Sequence, residues 1–107
     1  MNYEIRKELH ELIPKTEQLC ALAEEASELA QAALKLRRVL DGTNPTTRTY
    51  EEARANLVEE AADVYCILGL ILNAEDHAEI YNTINRKTKR WTGRIKEARG
   101  DSDASIR

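Results

Sequence analysis

A chain of 107 residues, 42% hydrophobic and 33% charged, has the composition of one globular domain, which excludes a disordered or fibrous protein. The net charge of -3 is small and of the wrong sign for general binding to a phosphate backbone, so no nucleic-acid polymer is expected as a partner. The first twelve residues are charged rather than apolar, and the longest apolar run, residues 64–72, is far short of the roughly 20 residues that cross a bilayer; no membrane is expected and the protein reads as cytoplasmic.

Taken in chain order, residues 3–13 read as a short amphipathic helix, and Pro14 either breaks it or opens the next helix at its first turn, where a missing N–H costs little. Leu22, Ala26, Leu29, Ala33, Leu36 and Leu40 then recur at intervals of four and three, which predicts a helix to about residue 40 with these residues as its buried face. The stretch DGTNPTTRT, residues 41–49, is too rich in turn formers to stay helical. Thr49 and Glu52 have capping-box spacing, so a third helix is expected from Tyr50 to about Leu72. Asp76 and Glu79 offer a similar start for a fourth, which runs to about Ala98 before Gly100. Residues 1–99 thus form a single all-α, four-helix domain, and residues 100–107 read as a flexible tail. A helical chain this short buries a modest fraction of its surface, so completion by homo-oligomerisation, as a homodimer or homotetramer, is expected. Cys20 and Cys66 have no CxxC partner and fall within apolar helical pattern, so both read as small core residues.

The chain writes one arrangement of acids twice, EEASE at residues 24–28 and EEAAD at residues 59–63. On a helix Glu24, Glu25 and Glu28 fall within about 100° of arc, and so do Glu59, Glu60 and Asp63. The second set leads into VYCILGLIL, residues 64–72, apolar almost all round and expected to be buried on all sides. The first set flanks the apolar stripe of its helix, about 110° from its middle. If the two helices pack antiparallel, the acids converge, and carboxylates in one place against a core must be neutralised, hydrogen-bonded or bound to a cation. An all-oxygen donor set suits a hard ion, Mg²⁺ or Mn²⁺; neither His10 nor His77 has zinc-like spacing to the clusters, and no Glu-x-x-His pair supports a di-iron bundle. A solvated acidic face is the plain reading of either cluster alone.

Glu24-Glu25-x-x-Glu28 followed by Glu60-x-x-Asp63 resembles the EExxE…ExxD signature of the MazG-like, all-α nucleoside triphosphate pyrophosphohydrolases. The resemblance covers roughly residues 16–94; EQLCALAEEASELAQAALKLRR is similar to the family's first motif helix and LVEEAADVYCILGLIL to its second. The 31 residues between Glu28 and Glu60 are at the long end for the family, and the extra length falls in residues 41–49. The resemblance implies a MazG-like bundle and a Mg²⁺-dependent enzyme that cleaves a nucleoside triphosphate between its α- and β-phosphates, releasing a monophosphate and pyrophosphate for nucleotide-pool house-cleaning. It implies Glu25, Glu28, Glu60 and Asp63 as metal ligands, with Glu24 helping to hold a second metal or orienting the attacking water; Glu59 matches no required family position. It further implies that NRKTKR, residues 85–90, touches phosphate, with Asn85, Lys87, Arg90 and Arg94 as the candidate residues.

Of these, Lys87, Arg90 and Arg94 share one side of a helix, and Asn85 lies on the other. Residues 86–99 hold seven bases against the single acid Glu97, a run that taken alone is a solvated basic face. Trp91, the only tryptophan, reads as a core or interface aromatic before a base-stacking one. Two alternatives stay beside the leading one. Phosphoribosyl-ATP pyrophosphohydrolase is a superfamily relative, but Cys66 follows Tyr65 here where that enzyme shows His. A non-catalytic nucleotide-binding helical interaction module is the other.

Overall fold

The computed structural model describes residues 3–42 and 46–100. Among these residues there are four helices and no strand: α1 (Tyr3–Leu12), α2 (Lys15–Asp41), α3 (Tyr50–Ile71) and α4 (Ala74–Ala98). The all-α expectation holds. None of these helices is long and apolar enough to cross a membrane. The chain divides after Leu72 into two units, the first with α1, α2 and α3 and the second with α4.

Pro14 stands at the N-cap of α2 with φ -55° and ψ 145°, and its carbonyl accepts the N–H groups of Glu17 and Gln18 at 2.9 and 3.0 Å. Proline thus opens α2 and ends α1. The last carbonyls of a helix have no partner within it. Gln18 supplies one, since its Nε2 donates to the carbonyls of Ile13 at 2.8 Å and His10 at 3.2 Å, and its side chain is 2% exposed. A buried amide so placed ties the end of α1 to the start of α2.

At its far end α2 stops on Gly42, whose φ of 66° is left-handed and whose N–H donates to the Arg38 carbonyl at 2.9 Å. Only glycine takes that conformation without strain. Residues 43–45, within the predicted loop, lie outside the described residues, as do residues 101–107 of the predicted tail. Eight residues join α2 to α3, and so short a connection makes the two helices antiparallel neighbours. The two pack against each other, and α1 packs on α3. Thr49 caps α3 as expected: its Oγ1 accepts the N–H of Glu52 at 3.1 Å, and its own N–H donates to Glu52 Oε1 at 3.1 Å.

Three expectations change. The inward stripe of α2 is Gln18, Leu22, Glu25, Leu29, Ala32 and Leu36, whereas Ala26, Ala33 and Leu40 are exposed. Ala32 and Ala53 are 1% and 0% exposed, and small side chains at the packed face let helix backbones approach closely, which accounts for an inward face of α2 other than its most apolar side. Cys20 is exposed, because two residues after the buried Gln18 is the opposite side of the helix; Cys66 is half-buried. The run 64–72 is not enclosed on all sides within its unit: Leu70 is buried, Tyr65 is 76% exposed and the rest are half-buried, since α1 and α2 cover only part of the circumference of α3.

The start of α4 also differs in detail. Asn73 is the cap, with its Oδ1 accepting the N–H of Asp76 at 2.8 Å and Asp76 Oδ2 accepting the N–H of Asn73 at 3.0 Å. Asp76 is therefore the return partner of a capping box rather than its first residue.

Candidate metal centre

The inward stripe of α3 is Ala53, Leu57, Glu60, Val64, Ile67 and Ile71. It repeats at four and three, like that of α2, and in each stripe one apolar position is given to an acid. Glu25 precedes Ala32 by seven residues, and Glu60 follows Ala53 by seven. In an antiparallel pair that brings the two alanines together, equal offsets place the two glutamates at one level as well. One turn further along each helix stand Glu28 and Asp63.

The result is a group of four carboxylates, each offering one oxygen, and these oxygens all lie within 4.8 Å of one another. Glu25 and Glu60 are half-buried; Glu28 and Asp63 are exposed at the rim. Glu25 Oε2 and Glu60 Oε2 are both buried and neither has a hydrogen-bond partner. Loss of water raises the pKa of Glu25, and the charges of Glu28, Asp63 and Glu60 push it further up. Glu60 is raised in the same way, first by desolvation and then by Glu28, Asp63 and Glu59. The same burial that makes the acids useful as ligands makes their bare charge costly.

Oxygens on opposite sides of a Mg²⁺ ion are about 4.2 Å apart, from its 2.0–2.1 Å bonds. Like charges spread until a cation draws them in, so oxygens within 4.8 Å need only a small side-chain movement to close on such an ion. The donor set is carboxylate throughout, which fits a hard divalent cation and gives a soft metal nothing it prefers.

Of the residues singled out in the sequence, Glu25, Glu28, Glu60 and Asp63 are brought together. Glu24 and Glu59 are exposed and stand outside the group of four. Apolar spacing put Glu25 at the flank of its helix's buried face, whereas it holds an inward position. Asn85, Lys87, Arg90 and Arg94 are all exposed on α4, in the second unit. Lys87 and Arg90 line a shallow groove with Ile80, Ile84, Thr88 and Trp91, whereas Asn85 and Arg94 do not. No family model matches the chain, and neither a curated protein nor a solved structure matches it at a significant level.

Proposed function

We propose that the chain is a Mg²⁺-dependent nucleoside triphosphate pyrophosphohydrolase of MazG-like type that cleaves its substrate to a monophosphate and pyrophosphate, works as a homodimer or homotetramer, and clears unwanted nucleotides from the pool. The observation that carries this reading is the set of four carboxylate oxygens within 4.8 Å, two of whose residues each hold a buried oxygen without a partner. Such an arrangement opposes folding unless something positive is held there. A divalent ion bound there supplies charge neutralisation for phosphates, the main requirement of phosphoryl transfer.

The remaining work falls to this chain's own side chains. Glu25 and Glu60, anchored on the inward stripes, fix the site to the α2–α3 pair; Glu28 and Asp63 face solvent, where a substrate can enter. Glu24 is exposed beside them and is the carboxylate free to orient a water and take its proton. Hydrolysis adds that water across one P–O–P bond: one new P–O bond forms, the bridging bond breaks, and pyrophosphate leaves with the monophosphate. The resemblance gives Asn85, Lys87, Arg90 and Arg94 as the phosphate contacts, and all four are exposed within the second unit.

The test is incubation with a panel of nucleoside triphosphates and phosphoribosyl-ATP, with Mg²⁺ or with chelator. Equimolar monophosphate and pyrophosphate from at least one nucleoside triphosphate, in Mg²⁺ only, is the expected result. Cleavage of phosphoribosyl-ATP alone reassigns the substrate. Binding without turnover leaves a nucleotide-binding module.

A further inference from the structure

We propose that Lys35 and Asn56 bind the terminal phosphates of the substrate, so that its phosphate chain lies along the α2–α3 pair, running from the four carboxylates toward the start of α3. The proposal deepens the phosphohydrolase reading given above and rests on it. Every residue it uses belongs to the first unit.

The two acids at the rim fix which side of the helix pair faces the substrate. With Glu25 as zero, Glu28 lies at about 300° round α2 and Lys35 at about 280°. With Glu60 as zero, Asp63 lies at about 300° round α3 and Asn56 at about 320°. Since Glu28 and Asp63 bring oxygens to one place, these two flanks are the same side of the pair, and Lys35 and Asn56 both stand on it.

Helical rise sets the order along that side. The Glu25 and Glu60 oxygens meet, and in an antiparallel pair the direction that leads from Glu25 to Lys35 on α2 also leads from Glu60 back to Asn56 on α3. Measured from that level, Glu28 lies about 4.5 Å along, Asn56 about 6 Å and Lys35 about 15 Å. A helical side chain covers the turn before its own Cα, so the Lys35 stem leans back toward Glu28 and the space left is one turn, about 5 Å. Asn56 borders that space from α3. A phosphate chain held at its near end by the ion fits such a row, with a neutral donor next and an ammonium last. In the opposite direction the flank is filled, since Leu70, about 10 Å beyond Asp63 on the same side of α3, is 4% exposed.

Lys35 differs from the other cations of the chain. Of the described lysines and arginines, all but Arg6 and Lys35 are exposed. Lys35 is half-buried and makes no ion pair or hydrogen bond among the described residues. It does not serve the four acids, because the charges acting on Glu25 and Glu60 are all negative. Glu52, the acid of α3 on the same side near its level, accepts the Thr49 N–H, and the cation acting on it is Arg48. A stem drawn against the helices with an unpaired ammonium at its end is what a phosphate subsite requires. Asn56 is half-buried too, and among the described residues its side chain makes no hydrogen bond, which leaves the amide free to donate.

Titration calorimetry of inorganic pyrophosphate and tripolyphosphate into the full chain in Mg²⁺ decides the matter, with Mg²⁺ alone titrated in parallel and helix content checked by circular dichroism. Wild type is expected to bind both. Lys35→Ala should weaken that binding about tenfold or more, Asn56→Leu about threefold or more, and Lys35→Arg should keep most of it. Affinity for Mg²⁺ alone should change by less than about twofold in all three, given the distance to the carboxylates. Lys15→Ala removes the same charge from the opposite flank of the same helix and should bind polyphosphate like wild type. Lys35→Ala equal to wild type, or no weaker than Lys15→Ala, overturns the proposal and returns Lys35 to a solvated stem. Wild type that binds Mg²⁺ but neither polyphosphate overturns it too and leaves the metal centre standing. Wild type that binds neither Mg²⁺ nor polyphosphate overturns the proposed function with it.

Discussion

Glu25 stands between Leu22 and Leu29 in its repeat and Glu60 between Leu57 and Val64, and each keeps one buried oxygen without a hydrogen-bond partner. Their pKa values are raised, so without metal the folded state holds those protons more tightly than the unfolded chain does. The stability they contribute is full below the ordinary value of 4.5 and is lost as pH rises through the raised folded values. Glu52 has the opposite sign, since its hydrogen bonds with Thr49 lower its pKa, and its contribution fades only as pH falls below 4.5. In chelator, the urea midpoint should therefore rise between pH 7 and pH 5; an equal or lower midpoint at pH 5 contradicts the crowded-carboxylate account. Under the proposed function, which sets Lys87 and Arg90 against phosphate rather than metal, Lys87→Ala with Arg90→Ala should lower turnover at subsaturating nucleotide about tenfold or more while leaving Mg²⁺ affinity nearly unchanged. Turnover equal to wild type at every substrate concentration returns them to a solvated face.

At the scale of the helices, local rules are what the sequence states most openly. Thr49 with Glu52, the proline before α2 and the glycine after it are each set by a short-range hydrogen bond or a backbone angle, so their residue types disclose them. Thr49→Ala should cost about 1 kcal/mol in chemical denaturation. A loss under about 0.3 kcal/mol argues that the cap is dispensable. The rotation of α2 was less legible because it depends on a partner: packing against α3 makes Gln18, Glu25 and Ala32 inner positions, and no property of α2 alone reports that. Asp76 is read as a cap for a related reason, since Asn73-x-x-Asp76 and Asp76-x-x-Glu79 satisfy the same local pattern and only the extended backbone at Asn73 separates them. Gln18 went unnoticed although it joins two helices. Gln18→Ala should speed amide exchange in α1 well before that in α2 and α3, with a loss of about 1–3 kcal/mol. Uniform exchange across all three helices is the contrary result.

At the scale of the whole molecule, the buried apolar residues among the described ones are Ala32, Ala53 and Leu70, a small core for three packed helices. Leu12, Leu19, Leu34, Val58 and Tyr65 stay exposed in the first unit, each by 50% or more. Sedimentation should find the 12.2 kDa chain in species at least twice its mass at micromolar concentration, and a single monomeric species there contradicts completion by self-association. The acids belong to this scale as well, because their repulsion opposes the α2–α3 packing that a bound cation would favour. The central claim is that Glu25, Glu28, Glu60 and Asp63 hold a divalent ion, and the most direct measurement is denaturation in Mg²⁺ and in chelator for wild type, Glu28→Gln and Asp63→Asn. With Mg²⁺ at about 100 times its dissociation constant, wild type should gain on the order of 2.7 kcal/mol, while both variants should equal or exceed wild type in chelator and gain much less from the ion. Wild type equally stable in Mg²⁺ and in chelator, or variants stabilised as fully as wild type, contradicts the claim.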